Sequence, residues 1–102
     1  MEVIGKKVII RASRAGVFFG TLKEKRETPA GVEVVLSDSR RLWFWNGAAS
    51  LSQLATEGTK RPDDCKFTVK VSEHNIMQVI EIIPCTEEAV KSIESVKVWR
   101  IS

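Results

Sequence analysis

The sequence predicts an α+β fold, with two short helices and either a mostly antiparallel sheet of six to seven strands or a small barrel. The first half of the chain contains consecutive strand-like segments at hairpin spacing, which is typical of antiparallel meanders and small barrels. Two capped helical patterns follow, one after residue 50 and one after residue 86. With 102 residues, the chain is expected to form one domain that spans residues 1–102.

Four strands are predicted before residue 46, because β-branched and aromatic residues are concentrated there. They are residues 6 to 12, 15 to 26, 32 to 38 and 40 to 45. Ser13 and Arg14 separate the first two strands, and Pro29 and Gly31 predict a turn between the next two. The Ser-Asp-Ser stretch at residues 37 to 39 predicts a short turn before the fourth strand.

A small-residue turn and a helix follow the fourth strand. Ser50 precedes Gln53 by three residues, which is the spacing of a capping box. This spacing predicts a helix over residues 51 to 57, and Gly58 is a suitable residue to end it. Residues 65 to 71 then alternate between apolar and polar types, as expected for a fifth strand.

The last third of the chain predicts a sixth strand and a second helix. The strand covers residues 76 to 83 and ends at Pro84. Thr86 is a good N-cap for a helix whose apolar stripe comprises Ala89, Val90, Ile93 and Val96. Residues 96 to 99 either pair as a seventh strand or pack against the sheet.

The composition favours a cytoplasmic protein with an anionic partner. The formal net charge is +3 and the isoelectric point is near 9.1, so the chain is mildly basic. The longest apolar runs are far too short to span a bilayer, and residues 1 to 7 carry no apolar signal segment. We therefore expect no contact with a membrane.

The sequence shows no catalytic or metal-binding pattern. Cys65 and Cys85 form no CxxC pair, and His74 is the one histidine, so we expect no metal, no cofactor and two reduced, partly buried thiols. His74 lies in the polar segment SEHNI, which is predicted to be a loop. The sequence shows no nucleophile that could be placed beside this histidine. The phosphate-binding patterns GxxxxGK[ST] and GxGxxG are absent. We therefore expect a binding protein and not an enzyme.

The segment RRLWFW, residues 40 to 45, is the strongest candidate for a ligand-binding surface. Alternate residues of a strand share a face, so Leu42 and Phe44 are assigned to the core. Arg41, Trp43 and Trp45 then occupy the opposite face. A guanidinium beside two indoles is suited to stack on flat bases and to pair with phosphate.

The turn after this strand extends the candidate site. The backbone N–H groups at a helix start favour an anion, and residues 47 to 49 have no bulky side chains that would block it. Arg40, Lys60 and Arg61 flank the turn. Arg11 and Arg14 bracket the first predicted turn, and they add to an anionic-ligand surface if they face the same side as Arg41. The candidate ligand-binding residues are Arg11, Arg14, Arg40, Arg41, Trp43, Trp45, Asn46, Gly47, Ala48, Ala49, Ser50, Lys60 and Arg61.

The same residues also have a purely structural interpretation. Tryptophans at alternate strand positions occur in cores and subunit interfaces, and small residues before a helix cap are common packing solutions. Arginines at a hairpin tip are often simply solvated. Both interpretations hold together if tryptophans of two subunits form a pocket between them.

Nearly the whole chain resembles a family of small phage and prophage proteins. The resemblance rests on AGVFFGTL, RRLWFWNGAASLSQLATEGTKRP, CKFTVKV and EIIPCTEEAVKSIESVKVW. We identify this family as that of the Thoeris anti-defence protein one. Its members are viral sponges that sequester the nucleotide signals of bacterial immunity.

The resemblance implies a protein that binds and does not degrade its ligand in the cytoplasm of the bacterial host. The implied partners are cyclic ADP-ribose isomers made by TIR-domain enzymes, and cyclic di- or trinucleotides of the related CBASS defence. It also implies a homo-oligomer, a dimer or a hexamer. Two alternatives remain open from the residues: a single-stranded nucleic-acid-binding module, and a phage structural or assembly adaptor whose tryptophans are buried in subunit contacts.

Overall fold

The computed structural model describes residues 3–102, which form an α+β fold with five strands and two helices. The strands are β1 Lys7–Ala12, β2 Gly16–Thr28, β3 Gly31–Phe44, β4 Lys66–Phe67 and β5 Val71–Pro84. The helices are α1 Leu51–Glu57 and α2 Glu87–Ser95, and a single 3₁₀ turn covers Pro62–Asp64. Met1 and Glu2 lie outside the described residues. They are the first two positions of the predicted domain, and they also belong to the segment, residues 1 to 7, that was predicted to lack a targeting signal.

Four of these strands close into a ring. β1 pairs with β2 and β5, and β3 pairs with the same two strands, so the sheet returns on itself as a small barrel. All of these pairings are antiparallel, and the short strand β4 pairs alongside the last residues of β3. The predicted α+β class and antiparallel sheet are confirmed, but the described residues contain five strands where six to seven were predicted.

The core has two layers because both faces of β1 are buried. Val8, Ile10 and Ala12 point into the barrel, while Ile9 between them points outward to the helices. The barrel interior is completed by Phe18, Leu22, Val34, Leu36, Ile76 and Val79. The outer layer joins the sheet to both helices through Phe19, Leu42, Leu54, Ala55, Cys65, Phe67, Ile93 and Val96.

The predicted turn at residues 37 to 39 is wrong, because β3 runs through it without a break. Phe19 of β2 pairs with Arg40 and Thr21 pairs with Ser37, so β3 has one residue more than β2 between these two pairs. This is a β-bulge, and the left-handed backbone of Asp38 (φ 53°) lies within it. Gly20 permits the bulge, since a Cβ there would lie 2.9 Å from the Ser37 carbonyl oxygen.

The bulge reverses which residues of β3 face the barrel interior. Before it, Val34 and Leu36 point into the barrel. After it, Arg40 and Leu42 point to the helices, although they continue the same even-numbered series. One inserted residue therefore moves the following side chains to the opposite face of the sheet.

Both helices begin where the sequence predicts. The Ser50 hydroxyl accepts a hydrogen bond from the Gln53 N–H at 3.0 Å, and the Gln53 side chain reaches back to the N–H of Ala49. α1 ends before Gly58, whose N–H donates to Leu54. Thr86 caps α2 in the same way, through the N–H of Ala89 at 3.0 Å.

The second half of the sheet differs from the prediction. Of the predicted fifth strand, Lys66–Phe67 form β4 and the last residue, Val71, already belongs to β5, which begins there instead of at residue 76. His74 therefore lies within β5, where it pairs with Leu36, and not in the predicted loop. Of the predicted seventh strand, only Val98 bridges to Phe67. No helix within residues 3–102 is both long and apolar enough to cross a membrane.

Candidate functional site

An exposed aromatic surface lies where β3, β4 and the C-terminal segment meet. The indole of Trp43 is 63% exposed and lies nearly parallel to that of Trp99, with 9° between the ring planes and 6.4 Å between the centroids. The ammonium group of Lys66 lies 5.4 Å from the centroid of the Trp99 ring, and Phe44 is 47% exposed beside them. We call Trp43, Phe44, Lys66 and Trp99 the aromatic surface.

β4 brings these distant residues together. Its two residues pair with the end of β3, Phe67 opposite Leu42 and Lys66 opposite Phe44. On the other side of β4, the N–H of Trp99 donates to the Phe67 carbonyl at 2.9 Å. Short backbone pairings on both sides therefore hold Trp43 and Trp99 next to each other.

A cleft of about 590 Å³ adjoins the aromatic surface. Phe44, Lys66 and Trp99 line it together with Asn46, Asp63, Asp64 and Cys65. The carboxylate of Asp64 lies 3.6 Å from the guanidinium of Arg61, so that this cation offsets one of the two acidic charges. Aromatic faces and a lysine beside a cleft can stack on a flat ring and attract an anionic group.

The core assignment of Phe44 is wrong. Leu42 is buried as predicted, but Phe44 is nearly half exposed because β3 ends there and its pairing with β4 shifts register after Leu42. Trp45 lies beyond the strand, where its indole is half-buried against the helix layer of the core. Simple alternation therefore holds at Leu42 and Trp43 and fails for the two aromatic residues that follow.

Arg40 is a structural residue. Its side chain is only 2% exposed, and it donates hydrogen bonds to five backbone carbonyls. The acceptors belong to Phe67, Thr68, Ile93, Val96 and Lys97. Burial lowers the pKa of Arg40 from its usual value, against the attraction of Glu94. The prediction that Arg40 flanks a ligand is therefore corrected: its guanidinium joins β3 to β4 and α2.

The small residues before α1 are packed against the loop that follows the helix. Gly47 has φ 81°, and a Cβ there would lie 2.5 Å from the backbone nitrogen of Arg61. The Lys60 N–H donates to the Gly47 carbonyl at 3.1 Å. The structure thus places residues 60 and 61 beside the turn as predicted from the sequence, but through backbone contacts, while their side chains are exposed.

At the start of α1, backbone N–H groups already donate hydrogen bonds to side chains of the protein itself. The N–H groups of Gly47, Ala49 and Gln53 bind the side chains of Asn46, Gln53 and Ser50, respectively. Ala48 is half-buried against the core, and Ala49 and Ser50 are exposed. These backbone N–H groups are therefore already hydrogen-bonded without a ligand.

Two of the remaining predicted arginines, Arg14 and Arg41, lie at one end of the barrel. Arg41 donates to the Ala15 carbonyl in the β1–β2 turn, and its guanidinium lies 4.5 Å from the centroid of the Phe18 ring. Arg14, next to Ala15, is exposed. Arg11 instead pairs with Glu81 at 2.9 Å. The guanidinium of Arg41 therefore contacts the β1–β2 turn that carries Arg14.

His74 completes this end of the barrel. Its Nδ1 lies 3.1 Å from the Ser39 hydroxyl, and its ring meets Phe18 edge-to-face at 5.0 Å. Burial, and to a lesser extent the positive charge of Arg41, lower the pKa of His74. The imidazole is accordingly neutral near pH 7.

Both cysteines are free, as predicted, with Cys65 buried and Cys85 half-buried. Burial raises the pKa of the Cys85 thiol to about 12, so this group stays protonated near neutral pH. Residues 3–102 contain no group of three or more His, Cys, Asp or Glu side chains placed to hold a metal ion.

The sequence did not predict three members of the aromatic surface. Phe44 was assigned to the core, while Lys66 and Trp99 lie in segments whose pairing with β3 depends on contacts between distant residues. The scarcity of tryptophan, with three in the whole chain, was the available signal for Trp99.

The comparisons with known proteins identify a family but not an activity. No curated protein and no solved structure matches the chain. A family model described as a domain of unknown function, DUF6948, matches residues 5–93. Since the match covers most of the sequence, including the barrel, α1 and most of α2, the chain belongs to the DUF6948 family.

Proposed function

We propose that this protein binds nucleotides at the aromatic surface and sequesters them without degrading them. The observation that carries the proposal is the parallel, solvent-exposed pair of Trp43 and Trp99 with the ammonium group of Lys66 beside it. A purine stacks on the free face of an exposed indole, and a lysine attracts the phosphate of the same ligand.

The ligand class comes from the resemblance to the Thoeris anti-defence protein one family. The proposed ligands are cyclic ADP-ribose isomers and cyclic di- or trinucleotides, which act as immune signals in the cytoplasm of a bacterial host. These molecules combine flat bases with phosphates, so they suit the chemistry of the aromatic surface. The proposed role is that of a phage anti-defence sponge.

Tight binding requires that the ligand be enclosed. A dissociation constant near 10 nM corresponds to about −11 kcal/mol, which an open surface rarely provides. The aromatic surface is open, and the neighbouring side chains of Val98 and Ile101 are also exposed. A homo-oligomer, either a dimer or a hexamer, would enclose the ligand between the aromatic surfaces of two copies.

Native mass spectrometry with a panel of these nucleotides tests the proposal, because it counts subunits and ligands together. We expect a bound nucleotide, which heat releases chemically unchanged. Trp43→Ala should weaken binding by about 1 to 3 kcal/mol, the usual contribution of one stacked base. Lys66→Gln should weaken binding of the same ligand through loss of charge.

Ile80→Ala is the matched control. Ile80 is an exposed aliphatic residue on β5 and belongs to neither the aromatic surface nor its cleft, so its loss should leave binding unchanged. Equal affinity in the Trp43→Ala and wild-type proteins would contradict the proposed site. Recovery of a hydrolysed nucleotide would contradict sequestration.

A second candidate is a single-stranded nucleic-acid-binding module. Three exposed aromatic rings, those of Trp43, Phe44 and Trp99, lie close together beside Lys66, and such surfaces stack on successive bases with little sequence preference. This function predicts affinity for oligonucleotides that falls steeply with salt concentration, since phosphate contacts release counterions. Subunit assembly with no nucleotide of either kind bound would instead favour a phage assembly adaptor.

A further inference from the structure

A second pocket opens at the end of the barrel that holds Arg41 and His74. Its volume is about 390 Å³, within the usual range of small-molecule sites. Three segments form its walls: the β1–β2 turn, the tip of the β2–β3 hairpin and the middle of β5. We call it the barrel-end pocket, and it shares no lining residue with the aromatic surface.

Much of the lining is apolar. Ala15, Ala30, Val32, Ile76 and Met77 contribute carbon surface. Met77 is 60% exposed, which is unusual for a large apolar side chain in the middle of a strand. A methionine side chain is flexible and polarizable, so it adapts well to the face of a flat ligand.

The charges around the pocket favour an anion. Glu33 is the one acidic residue of the lining, and it pairs with Arg26 at 3.1 Å. Arg14 also lines the pocket. Within residues 3–102, Arg14 forms no ion pair with an acidic side chain. Arg41 adds a second guanidinium nearby, bound to the Ala15 carbonyl.

His74 and Asn75 supply polar atoms on the β5 side of the pocket. The Ser39 hydroxyl, which is itself buried, engages Nδ1 of His74 at 3.1 Å. This contact orients the ring and leaves Nε2 as its other hydrogen-bonding atom.

The backbone of β5 is strained where it lines the pocket. Gln78 adopts a left-handed conformation with φ 57°, uncommon for a residue other than glycine. Ser13 holds it there: its N–H donates to the Gln78 carbonyl at 3.0 Å, and its hydroxyl lies 3.1 Å from the Gln78 side-chain oxygen. The kink adds one residue to β5 relative to β3 between Ile76 and Val79. Strain of this kind is often retained where a ligand is held.

We propose that the barrel-end pocket binds a small organic anion, a flat apolar body that carries one carboxylate or phosphate group. Arg14 binds the anionic group, Met77 covers the apolar body, and Asn75, on the same face of β5 as Met77, hydrogen-bonds its polar edge. This site is independent of the nucleotide site proposed above.

NMR titration of the ¹⁵N-labelled full chain tests the pocket with two probes of the same shape, 2-naphthoate and neutral 2-naphthamide. We expect 2-naphthoate to shift the backbone signals of residues 14 to 16 and 74 to 78. We expect it to bind roughly tenfold more tightly than 2-naphthamide, or better, because a hydrogen-bonded charge pair distinguishes the two probes. A phosphate-bearing probe, 2-naphthyl phosphate, distinguishes a carboxylate site from a phosphate site.

Arg14→Ala should remove the preference for the charged probe, with the fold retained because the side chain is exposed. Arg11→Ala is the matched control: Arg11 pairs with Glu81 outside the pocket, so its loss should leave the affinity unchanged. The proposal is overturned if the two naphthalene probes bind equally, if Arg14→Ala has no effect, or if the shifted signals lie elsewhere.

Discussion

The guanidinium of Arg40 on β3 donates a hydrogen bond to the backbone carbonyl of Ile93, 3.1 Å away in the last turn of α2. The last carbonyls of a helix lack partners within the helix and carry partial negative charge. The Ile93 carbonyl accepts the N–H of Val96, the C-cap residue, and Arg40 adds a second hydrogen bond to it. Arg40 also donates to the carbonyl of Val96 and to the backbone of β4. One buried cation therefore connects the sheet to the end of a helix.

Replacement of Arg40 should destabilise the fold. Arg40→Ala removes a donor from five backbone carbonyls, of which those of Phe67 and Ile93 keep a backbone N–H donor. We expect a loss of about 3 to 5 kcal/mol in the free energy of unfolding, measured by urea denaturation. Arg41→Ala is the control, since Arg41 binds one carbonyl and should cost about 1 kcal/mol. Equal losses for the two variants would contradict the structural role of Arg40.

The end of β3 should respond unequally to truncation of neighbouring apolar side chains. Leu42 is 2% exposed and Phe44 is nearly half exposed. Leu42→Ala should therefore lower the free energy of unfolding by about 2 to 5 kcal/mol, whereas Phe44→Ala should cost less than about 1 kcal/mol. Chemical denaturation at low protein concentration checks this. A large loss for Phe44→Ala would show that a further contact buries its ring.

A comparison of Gly47→Ala with Gly31→Ala distinguishes steric crowding from backbone strain. Both have positive φ values, 81° and 122°, but only at Gly47 would an added Cβ collide with backbone atoms. Gly31→Ala should cost about 1 kcal/mol from the unfavourable backbone conformation alone. Gly47→Ala should cost at least about 2 kcal/mol, since the loop at residues 59 to 61 must also move. Thermal unfolding of both variants measures the difference, and similar melting temperatures would argue against the close packing of Gly47.

His74 should make stability depend on pH in a mildly acidic range. Its pKa is lowered in the folded protein by burial and by Arg41, whereas the unfolded chain has the ordinary value near 6.5. The unfolded state therefore binds the proton more readily, so the free energy of unfolding falls as the pH drops below about 6.5, and the loss is complete below the folded pKa.

Urea denaturation of wild type and His74→Gln between about pH 7.5 and 5.5 measures this effect, because most carboxylates titrate lower. The variant should show a smaller fall in stability over this range. An identical pH dependence in both proteins would exclude His74 as its source.

Several elements were predictable because local interactions determine them. Ser50 and Gln53 lie three residues apart and cap α1 through their own side chains, and Thr86 does the same for α2. These contacts involve only neighbouring residues, so the sequence contains all the information needed. The turn at residues 28 to 31 was predictable for the same reason.

A single series of alternating faces could not be carried through β3, because the bulge at Asp38 shifts it. Arg40 and Arg41 are identical and adjacent, yet one is buried against α2 and the other lies at the end of the barrel. The bulge at Asp38 decides which is which, and it depends on Gly20 of the neighbouring strand. The candidate site shows the same limit, because Trp43 and Trp99 meet only through the pairings of β4.

The sequence by itself determined the α+β class, the antiparallel pairing and both helix caps. Tertiary structure alone decided that Arg40 supports the fold, that Phe44 is exposed, and that Trp99 and Lys66 join Trp43. The physical reason is range: caps and turns arise from hydrogen bonds within a few residues, whereas the register of a strand and the partners of its side chains depend on segments distant in the chain.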